Sequence, residues 1–419
     1  MFSRWGDLVH RSRFTVLGVM VAFLLGLAAY GASLNDHLSQ SGWDDPGSES
    51  VHAARTADGT FGRDSSGDVV ALYTAPAGST VDDPDFTRTI ADAQNAMVAE
   101  HPDKIAKINV SYFQQRLPAL ASPDKTKAIA TFAIVGDNDT ELTNNFRDVK
   151  DAFEIPGVDV QLAGLQPIAG ALNDTMAGDI KRMELLAIPV VGVLLFFVFG
   201  GVVAAALPLV IGGLTVVAAN GMVRVFTNFV PVNSFVAPVV SLIGLGLAID
   251  YALFIVSRFR EELADGRTTG QAVQRSVMTA GRTVVFSATM IVASLGGLLL
   301  FPQGFLKSVA FGAISTVALA ALTAITILPA MLSVLGKRID MLGLKSMRKT
   351  KTTEEIESGR WGRLTRWVMR NPIKVTVPIV LGLLLITLPV GSIKFGGINE
   401  TYLPPDNPTR VAQNVFDEN

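Results

Sequence analysis

Asp250 is an ionisable residue in the middle of a long apolar stretch. The sequence from Gly244 to Glu262 reads GLGLAIDYALFIVSRFREE, and the apolar run around it extends from about Val232 to Ser257. Such a run is long enough to cross a bilayer, which needs roughly 20 apolar residues. Because a charge at the bilayer centre costs at least ~2.5 kcal/mol, an isolated carboxyl there indicates a functional site. The chemistry open to it is the uptake and release of a proton.

The neighbours of Asp250 fit this chemistry. Gly246 lies four residues before it and Ser257 seven after, so both share its helix face and allow a second helix to approach closely. Tyr251 follows directly and offers a hydroxyl within reach of the same cavity. The alternative is a neutral structural Asp that is hydrogen-bonded between two helices.

A polar stripe on the next apolar segment could face this carboxyl. Thr283, Ser287 and Ser294 recur at i, i+4 and i+11 spacing, which places them on one side of a helix where they could carry water to Asp250. The alternative is that these hydroxyls bond back to carbonyls of their own helix.

Composition excludes most other chemistry. At 49% hydrophobic residues and a mean hydropathy of +0.40, the chain of 419 residues is predicted to cross a membrane several times. It contains no cysteine and only four scattered histidines, so neither a thiol nucleophile nor a metal site is predicted. We therefore expect no enzyme, no catalytic residues and no cofactor, with protons as the coupling ion.

The predicted fold class is an α-helical polytopic membrane protein, built from a six-span repeat plus one further span, with an α/β ferredoxin-like extracytoplasmic domain. The first apolar run is longer than the usual 7 to 15 residues of a signal-peptide core, which favours an uncleaved span. Arginines before it place the N-terminus in the cytoplasm. The predicted spans are Phe14 to Ser33, Glu184 to Phe199, Val202 to Val223, Val232 to Ser257, Thr283 to Phe301, Ser308 to Leu335 and Ile373 to Val390.

These spans divide the chain into segments. Two of them lie outside the cytoplasm because they follow an odd number of spans from a cytoplasmic N-terminus. The predicted boundaries are 1–13 for the cytoplasmic N-terminus, 14–33 for the first span, 34–182 for the extracytoplasmic domain, 183–336 for spans two to six, 337–370 for a cytoplasmic basic linker, 371–392 for the seventh span and 393–419 for the start of a second, truncated extracytoplasmic domain.

The extracytoplasmic domain alternates polar and apolar residues, as strands do. The element order β-α-β-β-α-β is the ferredoxin-like arrangement. Asp83 and Asp139 mark the starts of the two helices. The predicted elements are a strand over Asp68 to Ala75, a helix over Pro84 to Glu100, strands over Ile105 to Tyr112 and Thr126 to Val135, a helix over Asp139 to Phe153 and a strand over Val158 to Leu162.

Three segments that connect spans have sequence features that predict their structure or role. Gly200 and Gly201 predict a very tight turn between the second and third spans. Residues Asp265 to Thr279 are amphipathic and predict a helix along the cytoplasmic interface, or else an ordinary connecting helix. The basic linker could bind nucleic acid, but between two spans it is more simply a loop near anionic headgroups, so no nucleic-acid partner is predicted; its basic residues are Lys345, Arg348, Lys349 and Lys351.

The two ends of the chain resemble each other. Arg4-Trp5-Gly6-Asp7-Leu8 precedes the first span, and Arg360-Trp361-Gly362-Arg363-Leu364 precedes the seventh. An aromatic, acidic, proline-bearing passage follows each span. Six spans therefore make one repeat, and a second repeat begins at about Gly359. We expect the chain to be the front portion of a longer protein, and its partner to be the second half or a second copy.

Several longer passages resemble the mycobacterial membrane protein large family of the resistance-nodulation-division superfamily. They are QSGWDDPGSESV (Gln40 to Val51), LLFFVFGGVVAAALP (Leu194 to Pro208), the Gly244 to Glu262 stretch, GRTVVFSAT (Gly281 to Thr289), LFPQGFLKS (Leu300 to Ser308) and YLPPDN (Tyr402 to Asn407). The resemblance covers essentially the whole chain.

This resemblance implies a proton-driven, flippase-type exporter in the bacterial inner membrane, moving trehalose monomycolate or a related cell-envelope lipid. Asp250 and Tyr251 would form one half of its proton relay, and other cell-envelope proteins are further possible partners. The supporting residues of the relay, predicted from their spacing, are Gly246, Thr283, Ser287 and Ser294. The second Asp-Tyr pair of the family has no counterpart in these residues.

A lipid leaving the outer leaflet would enter just beyond the first span. Gln40, Ser41 and Trp43 lie there and are the predicted lipid-binding residues. Trp43 could instead be an interfacial anchor. Two other functions stay open: a sensor or receptor on the same fold, which predicts no dependence on the proton gradient, and a structural partner of cell-wall assembly, for which Asp250 is dispensable.

Overall fold

The computed structural model describes residues 2–61, 67–341, 359–393 and 399–418. Within these ranges, seven helical stretches are long and apolar enough to cross a membrane. This confirms the predicted polytopic helical membrane protein. The four basic residues Lys345, Arg348, Lys349 and Lys351 lie outside the described residues.

The chain begins with two helices in succession. Helix α1 covers Phe2–Arg11 and is amphipathic, and α2 covers Arg13–Gly31, in agreement with the predicted first span. Ser12 joins the two helices.

The sheet domain, residues 67–164, follows after helix α3. It contains one antiparallel sheet of four strands in the order β2-β3-β1-β4, with every neighbouring pair antiparallel. All six predicted elements are present in the predicted order; the ferredoxin-like assignment stays a prediction. The elements are α3 (Glu49–Phe61), β1 (Val69–Thr74), α4 (Pro84–Glu100), β2 (Ile105–Ser111), α5 (Tyr112–Gln115), β3 (Lys127–Ile134), α6 (Asp139–Val149) and β4 (Asp159–Ala163).

Local sequence explains the two long helices of this domain. The Asp83 side chain accepts hydrogen bonds from the first turn of α4, where Pro84 occupies a position that needs no N–H donor. Helix α6 is capped by Asn138, which accepts from the Glu141 amide, so the cap lies one residue before the predicted Asp139. Apolar faces of both helices cover one side of the sheet.

The membrane bundle follows directly on β4. It consists of α7 (Leu165–Phe199), α8 (Val202–Phe226), α9 (Val236–Ala264), α10 (Thr269–Ser276), α11 (Arg282–Gly296), α12 (Gly304–Ile325) and α13 (Ile327–Leu335). The second span was predicted to start at Glu184, but α7 begins at Leu165, so one uninterrupted helix extends from the sheet domain into the apolar region. The predicted tight turn is confirmed, because Gly200 has a φ of 66°, which favours glycine.

Two predicted segments differ from the structure. The amphipathic segment before the fifth span is not separate from that span, because a π-helical segment, Val277–Gly281, joins α10 to α11 in one continuous helix. The sixth span is interrupted at Thr326, where α12 ends and α13 begins. The Ile325 carbonyl at this break accepts a hydrogen bond of 3.0 Å from the Trp5 indole of α1. Tertiary contacts from a distant helix thus stabilise a break that local sequence does not mark.

Helices α2 and α8 approach each other at two glycines. A Cβ on Gly221 would lie 1.9 Å from the Leu27 carbonyl oxygen, and one on Gly31 would lie 2.5 Å from the Gly221 nitrogen. Such backbone contact between spans is possible only where both residues are small. Helix α8 therefore lies at the centre of the bundle, packed against α2, α7, α9 and α12.

The last described elements are α14 (Arg360–Arg370), α15 (Pro372–Thr387) and α16 (Pro408–Glu418). The seventh apolar helix, α15, is exposed along its length. Helix α16 packs against β4, with Ala412 buried beside Val70 and Ala163, and the Gly164 amide donates to the Gln413 side chain. The sheet is thus covered on one face by α4 and α6 and on the other by α16.

Candidate functional site

Helix α9 packs tightly along one face. A Cβ on Gly244 would lie 2.7 Å from Thr316 of α12 and 3.0 Å from the Val216 side chain of α8. Ala248, Ala252 and Ile255 of the same face are fully buried. Close packing of α9 on α8 and α12 fixes the rotation of α9 about its axis, and with it the direction in which every other residue of α9 points.

The opposite face of α9, termed the open face, carries Leu242, Gly246, Asp250 and Phe254. All four are exposed, and no described atom lies within 4 Å of the position that a Cβ on Gly246 would take. Asp250 makes no hydrogen bond or ion pair with any residue that the structure describes. The predicted shared face of Gly246 and Asp250 is therefore present, with Ser257 half-buried at its edge.

Tyr251 lies on the packed side of α9. Its side chain is 4% exposed, and the hydroxyl is buried with no hydrogen-bond partner among the described residues. Successive helix residues are about 100° apart, which is why the acid points out of the bundle and the phenol into it. A buried hydroxyl without a hydrogen-bond partner is costly, so Tyr251 has hydrogen-bonding capacity that no described residue uses.

The predicted polar stripe lies on α11. This helix packs mainly against α12, whereas the main neighbours of α9 are α8 and α12. Thr283 is exposed and donates to the Thr279 carbonyl at 3.4 Å, as the alternative interpretation required. Ser287 is half-buried and Ser294 is exposed. In this arrangement the stripe is not packed closely against Asp250.

The predicted lipid-binding residues form a junction between segments. The Trp43 indole donates to the Gln40 carbonyl at 2.7 Å, and its ring stacks on Phe305 with centroids 4.5 Å apart. The Gln40 side chain accepts from Ser234, and the Ser41 carbonyl accepts from the Asn233 amide. These contacts join the segment after α2 to the starts of α9 and α12. Of the three predicted residues, Gln40 also lines a cavity.

Sequence reasoning missed that cavity, termed here the α7–α9 cleft. It lies between α7 and α9 and contains Glu184, whose carboxylate accepts a hydrogen bond of 2.9 Å from the Ser241 hydroxyl. One sequence feature could have indicated the cleft. Asn220 is a polar residue inside the apolar run of α8, and it lines the same cleft.

Sequence reasoning also missed a buried ion cluster at the other end of α9. Glu262 is fully buried and lies 2.5 Å from both Arg258 and Arg267. Arg260 pairs with Asp340 at 3.0 Å. The cluster anchors the end of α9 to the loop before α10 and to the segment that follows α13.

Comparison with known proteins identifies the family. Residues 42–375 match the MMPL family. The chain belongs to this family. Within the described residues of this MMPL chain, no group of three or more His, Cys, Asp or Glu side chains could hold a metal ion.

Three relatives of this MMPL chain are named as lipid exporters. The trehalose monomycolate exporter MmpL3 of Mycobacterium tuberculosis strain H37Rv is 47% identical over 442 residues, which cover 100% of this chain and 47% of that protein. Its counterpart in Mycolicibacterium smegmatis is 44% identical, covering 100% and 44%. The mycolic acid-containing lipids exporter MmpL11 of M. smegmatis is 29% identical, covering 98% and 43%. The chain thus spans about half the length of the curated relatives it matches.

Proposed function

We propose that this chain forms part of a proton-driven, flippase-type exporter of trehalose monomycolate or a related cell-envelope lipid. The observation that carries the proposal is Asp250, a carboxyl at the middle of a membrane helix on a face that nothing described covers. The relatives support the lipid, because three of them are named for export of trehalose monomycolate or mycolic acid-containing lipids.

The proposed mechanism follows from the two faces of α9. A carboxyl binds a proton when its surroundings are dry and releases it when water or a cation reaches it. Asp250 on an open face can alternate between these conditions as a neighbouring unit moves, whereas the packed face keeps α9 in place. One charge crossing the membrane potential provides about 2.3 kcal/mol per 100 mV, which biases a two-state cycle. The buried Tyr251 hydroxyl is the proposed second member of the relay.

The proposed partner of the open face is a second six-span unit, supplied by a second half of the protein or a second copy. Substrate and ion sites of transporters with repeats form between the repeats. The helices that follow the first and seventh spans support the same pairing. Helix α16, after the seventh span, covers the sheet. Helix α3, after the first span, is exposed along nearly its whole length. We infer a ferredoxin-like sheet domain in each unit, from the antiparallel order β2-β3-β1-β4.

The proposed location is the bacterial inner membrane, with the N-terminus in the cytoplasm and the sheet domain outside. Since the chain has no cysteine, single-cysteine variants test this directly. We expect Asp85→Cys in the exposed first turn of α4 to react with an impermeant maleimide in intact cells. Lys337→Cys, beyond α13, should react only after the membrane is opened. The reverse pattern would refute the orientation.

Proton coupling is tested with the full chain in proteoliposomes together with its second unit. Export of the lipid to the outer leaflet is expected when an inward-directed proton gradient is imposed, and to stop when an uncoupler removes the gradient. Unchanged export after uncoupling would refute proton drive. Lipid binding without export under any gradient would favour the sensor or receptor function.

A further inference from the structure

The α7–α9 cleft has two chambers of different chemistry. The chamber nearer the sheet domain has a volume of about 400 Å³, and the chamber deeper in the bundle about 370 Å³. Both volumes lie within the range of ligand pockets. The two chambers share Glu184 and Ser241 in their walls, so they meet at that hydrogen bond.

The deeper chamber is apolar and opens beside the open face of α9. Leu242, Leu245 and Ile249 line it from α9, and Val191 lines it from α7. Gly246, in the same wall, leaves open space next to Asp250 one turn further along. A chamber bounded by aliphatic side chains at this depth suits an alkyl chain, whose burial contributes about 0.8 kcal/mol per CH₂.

The chamber nearer the sheet domain is rich in amides and hydroxyls. Asn173, Asn220, Gln40 and Ser234 line it. Two amide groups there have hydrogen-bonding capacity left over: the Asn173 nitrogen and the Asn220 oxygen are buried without a partner among the described residues. One is a donor and the other an acceptor, so a group that both donates and accepts hydrogen bonds satisfies them. Hydroxyl groups have this property.

Charge in the cleft selects against an anionic head group. Among the described side chains that line the cleft, the only cation is Arg147, which is paired with Asp174. Glu184 and Asp179 add two carboxyls near the meeting point of the chambers. A phosphate placed there would meet these two carboxyls, and no unpaired cation among the described lining residues would offset the repulsion.

We propose that the α7–α9 cleft binds an amphiphile with an uncharged, hydroxyl-rich head group and an alkyl chain. The head lies on Asn173 and Asn220, and the chain extends past Glu184 towards Gly246. This deepens the proposed function by giving the exported lipid a site within this unit, and it rests on that function only for the identity of the lipid. Binding itself needs no proton gradient.

The test uses the full chain in phosphatidylcholine nanodiscs with two photoreactive probes. One is an alkyl maltoside and the other a phosphatidylglycerol, each with a diazirine in the chain, and labelled peptides are located by mass spectrometry. We expect the maltoside to label α7 and α9 within the cleft and the phosphatidylglycerol to label it far less. Equal labelling of the cleft by both probes, or maltoside labelling spread evenly over the bundle, would overturn the proposal.

Variants make the test specific. Leu242→Trp should fill the deeper chamber and lower maltoside labelling about tenfold, a loss of ~1.4 kcal/mol. Its matched control is Leu186→Trp, an exposed residue of α7 that does not line the cleft. Asn220→Leu should lower labelling by the maltoside only, and Glu184→Gln should raise labelling by phosphatidylglycerol.

The results for these variants can refute the proposed binding site. Equal effects of Leu242→Trp and Leu186→Trp, or no effect of Asn220→Leu, would contradict it. Thermal unfolding of each variant separates lost binding from lost folding. If the maltoside labels the cleft but no export occurs under any gradient, the binding site is supported and only the proposed transport function is refuted.

Discussion

Lipid export by the full chain with its second unit is expected to stop when Asp250 is replaced by Asn, while the protein stays folded. Asn has nearly the same volume as Asp but cannot bind and release a proton in the physiological range. Because the Asp250 carboxylate has no hydrogen bond or ion pair to any described residue, the substitution removes no interaction that stabilises this unit. The measurements are proton-dependent export in proteoliposomes and the thermal unfolding midpoint in detergent.

The matched control is Asp250→Glu, which keeps a titratable carboxyl on the open face. Because no described atom lies near Gly246 one turn away, the longer side chain has room, and part of the export should remain. A stable Asn variant with normal export would show that Asp250 has a structural role. An Asn variant that unfolds would point to a partner for the carboxyl in the second unit.

Much of the fold could be predicted because it depends on local patterns. Within the described residues, apolar run length located the seven helices that could cross a membrane, and alternation located the four strands in their correct order. The Gly200 turn could be predicted because a positive φ favours glycine, and the sequence has two consecutive glycines there. The start of α7 at Leu165 could not be predicted from hydropathy. When one helix continues from a water-exposed domain into a membrane, the hydropathy changes along it but the backbone conformation does not.

The candidate site was predicted only in part, because it depends on helix rotation and neighbours. Sequence spacing placed Gly246 and Asp250 on one face, which the structure retains. It could not show that Tyr251 points into the bundle, since that follows from Gly244 packing against Thr316 of α12. The α7–α9 cleft could not be predicted either, because its walls combine residues of α7 and α9 with Gln40 and Asn220 from other segments, and only helix packing brings them together.

The ion cluster around Glu262 could not be predicted from the sequence either. Consecutive acidic and basic residues after a span usually form the solvated end of the membrane helix. In the structure this carboxylate is fully buried between Arg258 and Arg267, whose side chains are 38% and 31% exposed. Burial of one charge with two partly exposed partners means that removing it breaks both ion pairs at once. The loss falls on the end of α9, the helix that carries Asp250.

We therefore expect Glu262→Gln to destabilise the protein by about 3 kcal/mol, the lower end of the range for breaking a buried ion pair, since both arginines can still reach water. The control is Glu261→Gln, the adjacent carboxylate, whose side chain is 47% exposed and lies 2.9 Å from the same Arg258. Surface pairs of this kind contribute under about 1 kcal/mol. Thermal unfolding of the purified variants in detergent measures both. Equal midpoints for the two variants would show that burial of Glu262 gives its ion pairs no greater weight than an exposed pair.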